Sequence, residues 1–284
     1  MSKHRATVCL TFDFDAISLW IGPFRATSPS VISRGEFGVV GVERILKLLD
    51  RTGIKGTFFI TGHTADTYPE SVKAIVAAGH EVGHHGYLHE NPVVLSQEEE
   101  RTVLEKGLAA LDRAAGVRPV GYRSPSWDNS PHTIHLLQEY GFRYESSLMG
   151  HDFMPYWARV GDVIHKDRGY EFGIPSDIVE MPVSWILDDF PHFEYVRTET
   201  RLSPGLSAPS KVEEIWRGEF DFMYREVDGG VLTLTMHPQV IGRGHRMLML
   251  ERLIDYFGSH DGVRFATLAE AAEEYRAAHP KPAS

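Results

Sequence analysis

Apolar residues recur along the chain with two different periods, and the switch between them marks the elements. Short apolar runs read as buried strands: TVCLTFDFD (7–15), GTFFIT (56–61), HEVGH (80–84), PVGYRSP (119–125), FRYESS (142–147), IVEMPVSW (178–185) and VLTLTMHP (231–238). A short VRFAT run follows later. Between these runs, apolar residues fall at helical spacing in 42–53, 67–79, 96–115, 131–141, about 211–227, about 244–258 and from about 267. The clearest helix is 96–115. Ser96 stands at its N-cap, Glu98, Glu99 and Glu100 fill the first turn, and Val103, Leu104, Leu108 and Leu111 form the buried stripe. Gly53 suits the position just past the end of helix 42–53.

Three stretches, 16–38, 149–178 and 186–210, lack either period and are expected to be irregular. They carry Trp20, Phe24, Phe153, Tyr156, Trp157, Phe190, Phe193 and Tyr195, expected to wall a pocket, contact another subunit or cover the core. Alternation of strand and helix predicts a parallel sheet. Polar, chemistry-bearing residues end several strands (FDFD, HHGYLHE, YRSP, TMHP), which favours a closed barrel over an open sheet. About seven strands point to an α/β fold of distorted or incomplete (β/α) barrel type, with residues 1–284 as one domain.

Composition narrows the class. A net charge of -10 argues against a nucleic-acid or anionic-membrane partner. The single cysteine, Cys9, excludes an internal disulfide and reads as a small buried strand residue in a reducing compartment. No window approaches the ~18 apolar residues of a membrane span. Only six residues precede the first strand, so a soluble, cytoplasmic protein is expected.

Fifteen histidines are many, and they cluster. In GHEVGHHGYLHENP (79–92), His85 and His89 stand four residues apart in a loop after a strand. With Asp15 they make two imidazoles and a carboxylate, a set suited to one divalent ion with open positions. Zinc leads, with iron, cobalt, nickel or manganese as alternatives. Asp13 is then free to act as general base, Arg123 to pair with it, and His237 to protonate a departing amine.

TFDFD, HHGYLHE, YRSPSW, VSWILDD and LTMHP, in that order, resemble the five motifs of the polysaccharide deacetylase (NodB-homology) family of metal-dependent hydrolases. The resemblance implies a distorted (β/α) barrel, Asp13 as base, Asp15, His85 and His89 as metal ligands, Arg123 orienting the base and His237 as acid. Trp185 and Asp188 fall in the region that shapes the acid's surroundings, and Trp20, Tyr122 and Trp127 join them as expected substrate contacts. The usual first motif has adjacent aspartates, whereas Phe14 separates them here, so base and ligand remain exchangeable on the sequence. The spaced FDFDA form, with SLWIG and ISRGEFG, is similar to a subgroup containing cyclic imide hydrolases and a proposed peptidoglycan deacetylase. That subgroup implies a homo-oligomer, tetramer favoured, with pockets narrowed by neighbouring subunits.

The expected reaction is metal-assisted hydrolysis of a carbon–nitrogen bond other than a peptide bond. A small cyclic imide or amide is the leading substrate, because the chain shows no export signal and the aromatic stretches suggest confinement. Deacetylation of N-acetyl sugars in a polysaccharide or peptidoglycan is the alternative. From other classes, a non-haem iron oxygenase fits the ligand types but not the α/β alternation, and a catalytically silent sugar-binding module would have lost a base or ligand.

Overall fold

The structure, a computed structural model, describes residues 4–197 and 202–282. Its strands are β1 (Ala6–Phe14), β2 (Thr57–Ile60), β3 (Glu81–His84), β4 (Gly121–Tyr122), β5 (Tyr144–Glu145), β6 (Tyr156–Val160), β7 (Ile174–Glu180), β8 (Val196–Arg197), β9 (Leu202–Ser203), β10 (Gly230–Met236) and β11 (Val263–Phe265). The helices are α1 (Ser18–Ile21), α2 (Pro29–Thr52), α3 (Gly62–Thr67), α4 (Pro69–Ala77), α5 (Gln97–Ala115), α6 (Thr133–Glu139), α7 (Asp189–Phe193), α8 (Pro209–Glu226), α9 (Pro238–Ile241), α10 (Gly244–Gly258) and α11 (Leu268–Ala278).

The main sheet holds nine strands in the order β10-β1-β2-β3-β4-β5-β7-β6, with β11 beside the start of β1. From β10 to β7 all neighbours run parallel, which gives the seven strands expected; β6 adds an antiparallel edge. The sheet curls into a half-barrel. Asp188, beyond the end of β7, makes a single parallel bridge to Thr235 of β10 and so brings the two ends of the parallel set together. Every residue of β1 and β10 is buried, as a parallel sheet covered by helices requires. Phe12, Phe58, Leu232, Leu234, Trp216, Phe220 and Phe257 are among the side chains that fill the core between sheet and helices. Cys9 is fully buried on β1. Among the described residues no helix is long and apolar enough to cross a membrane.

The largest departure from expectation is α2. Residues 29–38 were expected to be irregular, yet the helix runs unbroken from Pro29 to Thr52. Its glycines are there for close approach. A Cβ on Gly35 would lie 2.4 Å from the Ala16 carbonyl oxygen, and one on Gly41 would lie 2.0 Å from that of Pro238. A helix that touches backbone this closely needs glycine in its interior despite the propensity cost.

The other two irregular stretches also contain structure. Residues 149–178 include β6 and most of β7, and 186–210 include α7 and the β8–β9 pair, while residues 198–201 lie outside the described residues. Their aromatics pack accordingly: Phe153 and Phe193 are core residues, and Trp157 packs on Tyr275 of α11 and donates to the His279 carbonyl oxygen. The clearest expected helix holds. Ser96 and Glu99 form a reciprocal capping box, and Gly116 closes α5 at φ 65°.

Candidate functional site

The site gathers at the C-terminal ends of the parallel strands. Asp13 and Asp15 leave the end of β1, and both are buried. Beyond β3 the chain turns at Gly86 (φ 71°) and again at His89 (φ 59°), which brings the His85 and His89 rings to 5.1 Å, almost perpendicular. His85 Nε2 lies 3.4 Å from Asp15 Oδ1, and His89 Nε2 lies 3.9 Å from Asp15 Oδ2. One donor atom from each of the three falls within 4.8 Å of the others.

Two observations test whether this set fits a metal. His85 Nδ1 lies 2.7 Å from the Arg123 carbonyl oxygen; because that oxygen only accepts, the ring proton sits on Nδ1 and Nε2 is left bare. Both Asp15 oxygens are buried and find no hydrogen-bond donor among the described residues. Burial, opposed by His237 and reinforced by Asp13, Asp188 and Asp189, pushes the Asp15 carboxyl well above the carboxylate range. An orphaned carboxyl facing two imidazole nitrogens is what a divalent cation would ionise and satisfy. The residues fit such an ion.

Asp13 has different surroundings. Arg123, wholly buried, donates from Nη1 to Asp13 Oδ1 at 2.8 Å and to Thr11 Oγ1 at 2.8 Å. Its Nε and Nη2 donate to the Ser146 carbonyl oxygen and Oγ, and its guanidinium lies over the Phe59 ring. Burial alone would raise the Asp13 carboxyl, but Arg123, then His85 and His237, outweigh it and hold it below its ordinary value. Asp13 stays ionised and faces His85 Nε2 at 4.0 Å.

His237 follows β10 and heads α9. Its Nε2 lies 3.7 Å from Asp15 Oδ2, and its Nδ1 lies 2.7 Å from Asp189 Oδ1. Both Asp189 oxygens also accept the His237 backbone N–H at 3.0 Å. Burial works against a charged ring, but Asp188, the Asp189 hydrogen bond and Asp15 raise the His237 pKa to about 10. Burial, moderated by His237, pushes Asp188 up to about 7. The surrounding carboxyls thus favour the protonated ring, with Nδ1 held by Asp189 and Nε2 turned toward Asp15.

The structure thus brings Asp13, Asp15, His85, His89, Arg123 and His237 together. Of the expected substrate contacts, Trp127 and Trp185 stack at 4.3 Å, and Trp185 is 46% exposed. Trp20 is buried beneath Arg34 and Phe24, and Tyr122 is buried between His84 and Phe142. Asp188 caps α7, accepting the Phe190 N–H at 2.9 Å, and lies 3.5 Å from His237 Nδ1. Sequence reasoning missed Asp189, although the Asp188–Asp189 doublet ends the VSWILDD motif. It also missed Thr11 and Ser146, whose contacts with Arg123 carry no sequence signal.

The polysaccharide deacetylase family model matches residues 2–145. The peptidoglycan deacetylase of Helicobacter pylori is 39% identical over 281 residues, covering 95% of this chain and 96% of that protein. A peptidoglycan deacetylase-like protein of Gibberella zeae is 33% identical, covering 96% and 87%. A solved structure from Mycobacterium smegmatis, assigned to the polysaccharide deacetylases, superimposes with a TM-score of 0.87 at 38% identity, covering 100% of this chain and 95% of that one. With the motifs in order, the half-barrel in place and relatives matched over most of their length, this chain belongs to the polysaccharide deacetylase family, hydrolases of carbon–nitrogen bonds other than peptide bonds.

Proposed function

We propose that the protein removes acetyl groups from N-acetylated amino sugars of a glycan, with peptidoglycan as the leading substrate class. The observation that carries the reading is the split between the two aspartates: Asp13 is bound to Arg123 and ionised, while Asp15 is orphaned against two imidazoles. The extent of the match to the Helicobacter pylori deacetylase supports the substrate class.

Asp15, His85 and His89 would hold one divalent ion, zinc being the leading choice for a carboxylate–imidazole set. When bound, such an ion supplies Lewis acidity toward an acyl group and toward water. Asp13 takes the proton from the water that adds to the acetyl carbon, and Arg123 keeps that carboxylate fixed and ionised. His237 donates its Nε2 proton to the departing sugar nitrogen, and Asp189 holds the ring through Nδ1. The products are acetate and a free amine.

Opening of a small cyclic imide or amide uses the same groups and draws on one observation. Asp15, His85, His89 and His237 are no more than 7% exposed, and Phe190 packs 5.3 Å from the His237 ring. Against it, three of the aromatics expected to confine the site serve packing instead: Phe153 and Phe193 lie in the core and Trp157 packs on Tyr275. The two readings separate when zinc-loaded protein is given N-acetylglucosamine oligomers, peptidoglycan glycan strands, succinimide and hydantoin. Acetate release from the glycans supports deacetylation; ring opening without acetate release overturns it in favour of the imide.

A further inference from the structure

His85 and His89 are held in unlike ways. The His85 ring is oriented by its Nδ1 contact with the Arg123 carbonyl oxygen. His89 Nδ1 is buried and meets no hydrogen-bond partner on another of the described residues, so no contact like that of His85 aims its ring. Its direction depends on the backbone, and that backbone is unusual: His89 sits at φ 59°, a left-handed conformation that residues with a Cβ adopt rarely and only when their surroundings impose it.

Hydrogen bonds on both sides of the turn impose it. Glu90 folds back so that Oε2 accepts the Leu88 N–H at 2.7 Å and the Tyr87 N–H at 3.1 Å. The carbonyl oxygens of Gly86 and Tyr87 accept the Gly62 and His63 N–H groups at the start of α3. His84 Nδ1 accepts the Gly86 N–H. The turn between the two imidazoles is pinned on its carbonyl side by α3 and on its amide side chiefly by one carboxylate. Removing that carboxylate frees two amides inside the turn, whose easiest relaxation is to let His89 leave the left-handed region.

We propose that Glu90 is a positioning residue of the metal centre: its carboxylate holds the 86–89 turn so that His89 Nε2 faces Asp15. The inference rests on the reading of Asp15, His85 and His89 as metal ligands.

Zn²⁺ affinity, measured by calorimetry on the full chain first stripped of metal, tests it independently of activity. H89A serves as the control, and E90A, E90D and E90Q probe the carboxylate. E90D keeps the charge but shortens the reach, and so guards against a folding failure of E90A. E90A and E90D should bind Zn²⁺ about 10- to 100-fold more weakly, the loss typical of groups that orient a ligand. E90Q, whose amide oxygen still accepts both N–H groups, should stay within a few-fold of the parent. Parent-like affinity in both E90A and E90D overturns the proposal, as does an E90Q loss equal to that of E90A, which would assign the effect to charge. Parent-like affinity in H89A would overturn the ligand reading itself, and this inference with it.

Discussion

Arg123 Nη1 lies 2.8 Å from Asp13 Oδ1, with the guanidinium fully buried and the carboxylate all but so. Removing one partner of a buried pair leaves the other charge uncompensated, which typically costs ~3–5 kcal/mol. Arg123→Met should therefore lower stability by about that amount in denaturant titration. The same change lifts the Asp13 carboxyl, so the acidic limb of the pH–rate profile should move to higher pH. Arg123→Lys should recover part of the stability but not the contacts to Ser146 and Thr11, which one ammonium cannot make together.

Asp189 should act through His237. A hydrogen bond to a charged group contributes roughly 1.5–3 kcal/mol, so Asp189→Asn should drop the His237 pKa by about one to two units. The alkaline limb of kcat should move down by that much relative to the parent, with KM little changed. A limb that stays in place would remove Asp189 from this role.

The same imidazolium has a consequence for stability in the metal-stripped protein. Its folded value of about 10 lies above the ordinary 6.5, so the folded state binds the proton more tightly than the unfolded chain. The stabilisation is complete below about 6.5 and disappears as pH rises through about 10. Urea midpoints of the stripped parent should fall across that window, and those of His237→Gln should fall less.

Gly41 links α2 to the loop that carries His237. A Cβ there would meet the Pro238 carbonyl oxygen at 2.0 Å. Gly41→Ala should cost roughly 1–3 kcal/mol by overpacking and should lower kcat by displacing His237, measurable in thermal melts and single-turnover assays. Gly53→Ala makes a useful contrast. Nothing crowds it, but its φ of 69° disfavours alanine, so stability alone should fall.

Much of this was legible in the residues, for physical reasons that differ from place to place. The parallel strands announce themselves because a strand buried on both faces must be apolar throughout, as in β1 and β10. Ser96 and Glu99 mark the start of α5 because the capping box is a local interaction. The six groups of the site show because each ends a strand or its loop. The start of α2 was hidden: Gly35, Gly38 and Gly41 look like helix breakers until the backbones they touch are known. β6 was hidden because its short run gains its partner only by folding back on β7. The separate environments of Asp13 and Asp15 were legible only in part: Arg123 was expected beside Asp13, but Phe14 between the two aspartates left their duties exchangeable. They depend on Arg123, which is 110 residues away in sequence from Asp13.

The zinc content of two variants tests the division between the two aspartates. Asp13→Asn and Asp15→Asn are purified side by side, dialysed against the same Zn²⁺ buffer, and measured by elemental analysis. Asp13→Asn should retain one zinc per chain while losing turnover by the ~10²–10⁴-fold attributed to a general base. Asp15→Asn should lose both zinc and turnover. Zinc retained by Asp15→Asn and lost by Asp13→Asn would overturn this assignment and exchange the duties of the two aspartates.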